Sequence, residues 1–489
     1  MLAQTGVQGL DEILGGGLPR DRLHLVEGDP GAGKTTLALQ FLMEGVRAGE
    51  RVLYITLSET EEELRQGAET HGWSLDGIDI FELKAVEQRA LGGDVSLFHP
   101  GEIELGEAMK TLLDEVQRRD PHRVVFDSLS EIRLLAQQPL RYRRQILALK
   151  QHFAPKHCTV LLLDDRTADA HDKQILSIAH GAIALEQHTP SYGTDRRRVR
   201  ITKMRGRQYR GGFHDYTISR GGLQVFPRLV AASTREGDGS FERVTSGNPA
   251  LDKMLGGGLS RGTSTLVSGP PGSGKSSLVA SFAVGAAARG ERAVIYLFDE
   301  TPSTCVTRSE ALGLPARRAV ESGMLVLRQV DPAELSPGEF VRGAYQEVEQ
   351  GTRFVAVDSV NGFMNSMPEE RSLVVLLHEL LTYLSQHGTL AFLVAPQHGF
   401  VGSLESSIDI SYIADTVILT RYFESGGAVH NAISIMKQRN GPHERTIREF
   451  TLGRGGLDVG RPLEQFRGVL TGTPQFAGAT SELLPPGKS

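Results

Sequence analysis

Two segments of this chain fit the pattern Gly-x-x-x-x-Gly-Lys-[Ser/Thr], and no other feature restricts its fold so strongly. The first runs from Gly28 through Gly31, Ala32, Gly33 and Lys34 to Thr35. The second runs from Gly269 through Gly272, Ser273, Gly274 and Lys275 to Ser276. Each follows a short apolar run, Leu23 to Val26 or Thr265 to Val267, and opens a helix-like segment, the context in which such a loop wraps a phosphate. Glycines let backbone N–H groups turn inward. The lysine carries charge to the terminal phosphates, and the Thr35 or Ser276 hydroxyl reaches a magnesium ion. With Thr36 and Ser277 beside them, these residues form the expected ATP-binding set, Lys34 and Lys275 also serving catalysis.

The loops belong to a longer repeat. Aligning Lys34 with Lys275, an offset of 241 residues, also places Gly6 on Gly247, Leu10-Asp11 on Leu251-Asp252, Gly15 to Leu18 on Gly256 to Leu259, and Glu59 on Glu300. A period this long means duplicated domains rather than a solenoid. At 489 residues the chain exceeds one ordinary core. The expected division is a domain at 1–230, a linker at 231–242, a domain at 243–460 and a flexible tail at 461–489. Short apolar runs (51–57, 122–126 and 159–163; then 292–298, 353–357 and 389–394) alternate with helix-like stretches at 141–152 and 372–385. That alternation predicts an α/β fold: two tandem P-loop domains with mostly parallel twisted sheets flanked by helices, ligands at the strands' C-terminal ends.

Asp127 and Asp358 each end an apolar run and precede a serine. Downstream of a P-loop, an aspartate at a strand tip holds the magnesium shell, so Thr35, Asp127, Ser276 and Asp358 are the expected metal residues. A helix-capping role is the plainer alternative. Glu59 and Glu300, the latter preceded by Asp299, fall after the next strand, where a carboxylate orients or deprotonates the attacking oxygen. The run from Arg196 to Arg207 admits three readings: nucleic-acid binding, a solvated strand face, or cations reaching a neighbouring subunit's phosphates. Lys203-x-Arg205 recurs as Lys437-x-Arg439, and one copy per phosphate loop favours the last.

With these motifs in hand the chain resembles the KaiC family of ATPases from about Gly6 to Gly460, most closely in the segment from Lys437 to Phe450. The resemblance implies two RecA-like domains in a two-tiered hexameric ring, with ATP and Mg²⁺ between protomers. It places Lys203, Arg205, Lys437, Arg439 and His443 as contacts made in trans. It further implies a slow ATPase in the first tier and, in the second, autophosphorylation of a Ser-Thr pair. Departures are specific. Family members often carry two adjacent glutamates where this chain has Ser58-Glu59 and Asp299-Glu300. Asp299, one methylene shorter, sets the carboxylate back by about an ångström, which can cost about 100-fold in rate. Ser411 falls on the acceptor serine while Tyr412 replaces the threonine, so Ser411 is a candidate phosphosite and equally an ordinary polar residue leading into a strand. Tyr209 replaces a histidine that the second half keeps as His443.

A KaiC-like regulatory ATPase with Ser/Thr autokinase activity in its second domain is the leading expectation. A RecA- or DnaB-like nucleic-acid motor is the alternative from another class. The net charge of −6 and the absence of interleaved aromatics oppose it. An ATP-gated scaffold with little turnover is the third reading, resting on Ser58. The isolated Cys158 and Cys305 suit a reducing cytoplasm, and no stretch approaches the roughly 20 apolar residues of a membrane span. The patch Phe466 to Gly472 reads either as a partner-docking peptide or as a strand packing on its own domain.

Overall fold

The computed structural model describes residues 1–83, 100–165, 173–231, 242–365, 372–397, 410–425, 427–469 and 475–476. The expected linker (but for its end residues) and the tail beyond Phe476 lie outside the described residues, as do Leu470 to Gly472. The chain divides into two compact units, Met1–Arg228 and Leu229–Ser489.

In the first unit a nine-stranded sheet runs in the order Gly222–Phe226, His214–Ser219, Arg196–Met204, Gly181–His188, Leu23–Gly28, Thr159–Asp165, Arg123–Asp127, Val52–Thr56, Ile78–Glu82. The last six are parallel and the first three continue antiparallel. The parallel strands are nearly continuous apolar runs because helices cover both faces. On one face lies the helix Lys34–Arg47, through Leu37, Phe41 and Leu42. On the other, helices Pro100–Arg119, Leu129–Ala136 and Pro139–Phe153 contribute Leu112, Ile132, Ile146 and Phe153. Each such side chain, fully buried, adds about 1.5–3 kcal/mol. The P-loop strand sits near the middle, so its C-terminal tip is held from both sides.

The second unit repeats this plan. Its sheet runs Leu325–Gln329, Ala293–Leu297, Phe354–Asp358, Leu390–Pro396, Ser264–Gly269, Thr416–Ser425, Ala428–Gln438, Arg448–Gly453, Gly456–Pro462. Helix Lys275–Ala288 lies on one face and helices Pro337–Glu349 and Ser372–Gln386 on the other. Two stretches differ in detail from the expected boundaries. The Ala231 N–H donates to Glu379 at 2.8 Å and its carbonyl accepts from Gln386 at 3.0 Å, so the residues just after Arg228 pack with the second unit. Phe466 and Val469, expected in a flexible tail, pack instead on Phe423 and Ala432, with the Phe466 and Phe423 ring centroids 5.2 Å apart. Burial of these two apolar groups holds this part of the chain against its own domain.

Candidate functional site

Both P-loops close in the same way. Gly33 (φ +89°) and Gly274 (φ +88°) adopt the left-handed backbone that turns each loop into its helix. A Cβ at Gly33 would lie 2.4 Å from Ile218 Cδ1, and one at Gly274 would lie 2.6 Å from Leu452 Cδ1. The left-handed conformation demands glycine there, and a Cβ would in addition have to displace the tips of these two side chains. Lys34 and Lys275 are each the first residue of a helix and are buried. The Lys34 ammonium donates to the Gly28 and Asp29 carbonyls at 2.9 and 3.1 Å and pairs with Asp165 at 2.8 Å. The Lys275 ammonium donates to the Pro270 carbonyl at 2.7 Å, and Pro396 occupies the ladder position matching Asp165. Burial pulls Lys275 down to about 8, with Asp358 opposing.

The strand-tip aspartates meet the P-loop hydroxyls. Thr35 Oγ1 donates to Asp127 Oδ2 at 3.0 Å, and the Ser276 hydroxyl lies beside Asp358, where it favours the ionised carboxylate. The Asp127-Ser128 and Asp358-Ser359 peptide bonds are both cis. Asp127 also accepts from the buried Tyr54 hydroxyl; Ile295 is the matching residue in the second unit and offers no such donor. Burial raises both carboxyls. Asp358 reaches about 6, the Ser276 hydroxyl opposing the rise and Glu300 adding to it. A carboxyl that titrates higher in the folded state binds more protons there. Its stabilising contribution is therefore complete below the unfolded value and is lost as pH climbs from about 4 to about 6. Asp358→Asn should thus stabilise the nucleotide-free second unit by about 1–3 kcal/mol at pH 7, and by almost nothing at pH 4. Urea midpoints at the two pH values check this; an equal gain at both contradicts it.

The expected catalytic carboxylates fall beside these aspartates, yet differ between halves. Glu59 opens onto a cavity of about 380 Å³ that Thr35, Thr36, Glu63 and Gly67 help to line. Partial loss of hydration, followed by Asp127 and Glu63, raises its carboxyl. Among the described residues Glu59 has no ion-pair partner. Glu300 instead pairs with Arg308, which stands where the first half has Gly67. Asp299, exposed, adds its charge to the field on Asp358.

Lys203 and Lys437 also occupy equivalent places, at the end of their sheets away from the P-loops. Lys203 donates to the carbonyls of Leu176 and Ala179 (2.9 Å to the latter), and Arg205 to that of Ser177 at 2.6 Å. Lys437 donates to the carbonyls of Ser411 and Ala414 at 3.0 and 2.7 Å, and Arg439 to that of Tyr412 at 2.7 Å. Ser411, half-buried, therefore matches Leu176 of the first unit. His443 lies in the loop after Arg439, where the Glu444 N–H donates to the Met254 carbonyl at 2.9 Å. These cations cluster where the strands beside each P-loop strand begin, whereas the P-loop lies where its strand ends. A six-residue strand separates the two by roughly 17–20 Å. Neither Lys-x-Arg pair meets the phosphate loop of its own unit.

The rest of the basic run is occupied by neighbours. Arg197 pairs with Asp195 and Arg200 with Glu186, both at 3.6 Å, and Arg198 and Arg200 lie over the Phe213 ring at 4.6 and 5.2 Å. Arg196 is buried. Sequence reasoning passed over Asp165 and Tyr54. The first ends an apolar run just as Asp127 does, a signal that was available; the second is an apolar-strand tyrosine whose hydroxyl partner only the fold reveals. Among the described residues no helix is long and apolar enough to cross a membrane.

Comparison with known proteins agrees with the duplicated geometry. The family model described as "ATPase: KaiC" matches residues 3–230 and again 244–464. The chain is 27% identical to the circadian clock protein KaiC3 of Synechocystis sp. (strain ATCC 27184 / PCC 6803 / Kazusa), over 98% of this chain and 95% of that protein. It is 26% identical to the circadian clock oscillator protein KaiC of Acaryochloris marina (strain MBIC 11017), over 96% and 90%. The corresponding protein of Parathermosynechococcus lividus is also 26% identical, over 96% and 87%. With a P-loop, a hydroxyl–aspartate pair and a Lys-x-Arg in each of two matched units, this chain belongs to the KaiC family of ATPases.

Proposed function

We propose that each unit binds ATP with Mg²⁺ at its P-loop and hydrolyses it, and that an adjoining copy of the chain completes each pocket with Lys203 and Arg205 or Lys437 and Arg439. The observation that carries this reading is the separation of phosphate loop from Lys-x-Arg across the full depth of both sheets. A heterologous contact that brings one end of a unit to the opposite end of its neighbour closes into a ring, and a hexamer is the form the family suggests. The donor set suits the ion. One P-loop hydroxyl on a buried carboxylate leaves most positions to phosphate and water, the arrangement magnesium takes. Among the described residues no cluster of three His, Cys, Asp or Glu competes for that role. When bound, the ion would neutralise charge on the phosphates beside Thr35 and Asp127 or Ser276 and Asp358.

The two sites would use different carboxylates. Glu59, raised in pKa and facing an open cavity, is the group to orient water in the first. Arg308 neutralises Glu300 in the second, leaving Asp299 for that task. Ser411 sits at the same end as Lys437, where a neighbour's triphosphate would arrive, so single-site autophosphorylation is part of this proposal. The free cysteines fit a reducing cytoplasm. Incubating the purified chain with ATP and magnesium tests both branches. Released phosphate with a phosphate group on Ser411 by mass spectrometry is the expected result. Release with an unmodified chain removes the kinase branch; neither outcome leaves only a nucleotide-binding scaffold.

A further inference from the structure

We propose that Arg421 is an in-chain ligand for the terminal phosphate of the triphosphate held at the second P-loop, with Gln397 aiming its guanidinium. This rests on the reading that the second P-loop binds ATP.

Arg421 is 8% exposed, and its only hydrogen-bond partner among the described residues is the Gln397 side-chain oxygen. Its Nε is buried and has none. Among the described residues no carboxylate lies within ion-pairing distance, and burial alone lowers its basicity. A cation held this way is expensive, since an unpaired buried charge forfeits hydration without a counter-charge in return. Proteins keep such a charge where an anion arrives to meet it.

The surroundings indicate which anion. Arg421 lies on strand Thr416–Ser425, which runs parallel to the P-loop strand with Leu419 opposite Ser268. Its two neighbours in sequence are fastened to the loop itself. Thr420 Oγ1 lies 2.7 Å from Ser273 Oγ, and the Tyr422 hydroxyl donates to the Pro271 carbonyl at 2.9 Å. Gln397, on the other flank, donates its backbone N–H to the carbonyl of Gly269, the first residue of the loop, at 3.0 Å. The backbone at Arg421 is thereby fastened to the phosphate cradle on both sides, and its own side chain, which leaves the strand on the face opposite those of Thr420 and Tyr422, is held at the strand tips by Gln397. A guanidinium offers several N–H donors in a planar fork that matches phosphoryl oxygens.

The first unit reverses these charges. Ladder registers place Glu186 where the second unit has Arg421, and Asp165 where it has Pro396. Glu186 faces Arg200, and Asp165 engages Lys34. The second site therefore gains a cation where the first holds carboxylates. On this proposal a nucleoside triphosphate meets Arg421 with its terminal phosphate, and a diphosphate, which lacks that group, does not.

The test uses the full chain with Lys34→Ala, so that fluorescent ATP and ADP analogues report the second site alone. Arg421→Gln should weaken the ATP analogue by about ten- to a hundredfold and leave the ADP analogue within about twofold. Arg421→Lys should recover part of the loss. An ATP-to-ADP affinity ratio that stays at its starting value overturns the proposal, because a merely structural arginine would affect both nucleotides alike. If Arg421→Gln binds neither analogue, the same ratio is read on Arg421→Lys. Adding Lys275→Ala separates the two ideas: binding that survives it refutes the P-loop reading itself, whatever Arg421 does.

Discussion

Replacing both P-loop lysines, Lys34→Ala together with Lys275→Ala, is expected to reduce phosphate release at least about 100-fold. A preorganised cation aimed at charge that develops in the transition state contributes on the order of a hundred- to a thousandfold, and each site has one such lysine at the mouth of its loop. Both ammonium groups are already in place. Lys34 spans the Gly28 and Asp29 carbonyls and Asp165, and Lys275 donates to Pro270. Neither side chain needs to reorganise far to meet phosphate, so little of its contribution is lost to ordering. Alanine removes the charge without adding bulk, and the helices that begin at these residues are held by Leu37, Phe41, Leu278 and Phe282 beneath. Folding should survive. Phosphate release by the double variant at the wild-type rate would mean that these loops are not the reacting sites. The single variants should each leave the other unit's turnover, and their unequal residues would apportion the activity between units.

Mixing two inactive chains should restore turnover. One partner carries the double lysine substitution above, and the other carries Arg205→Ala with Arg439→Ala. In a ring, a site works when an intact loop from the second kind of chain meets an intact guanidinium from the first. In a random equal mixture that occurs at about one interface in four, so about a quarter of wild-type activity should return. The expectation follows from the placement of Arg205 on the Ser177 carbonyl and Arg439 on the Tyr412 carbonyl, a strand's length from their own loops. No recovery, from chains that do associate, would mean each pocket is completed within one subunit. A protein that stays monomeric with ATP and magnesium would dispose of the ring as well.

Much of the site could be read before any coordinates. Gly33 and Gly274 announce a backbone conformation by their residue type, and the hydroxyl after each lysine points to the metal shell by chemistry alone. Asp127 and Asp358 were legible because an aspartate closing an apolar run has few places to be other than a strand tip. The roles of Glu59 and Glu300 were not so legible. They share a register in the repeat, yet one opens onto a cavity beside Gly67 and the other is neutralised by Arg308. The difference arises one helical turn or more away, on a side chain that matters only once the helix is packed. The arginine-rich run stayed open among three readings for a related reason. Along the chain it reads as a block of positive charge; in the sheet, Asp195, Glu186 and the Phe213 ring take up much of it.

The order of residues by itself determined the duplication, the two phosphate loops, the α/β alternation and the strand-tip acids. These depend on local backbone preference and on the period of apolar side chains, both properties of short stretches. Only the tertiary structure decided which groups meet. It brought Tyr54 to Asp127, Asp165 to Lys34 and Gln397 to Arg421, and it set each Lys-x-Arg a full strand away from the loop it resembles a partner for. Charge compensation and desolvation act across a few ångströms of space, and residues that close can be far apart along the chain, as Lys34 and Asp165 are.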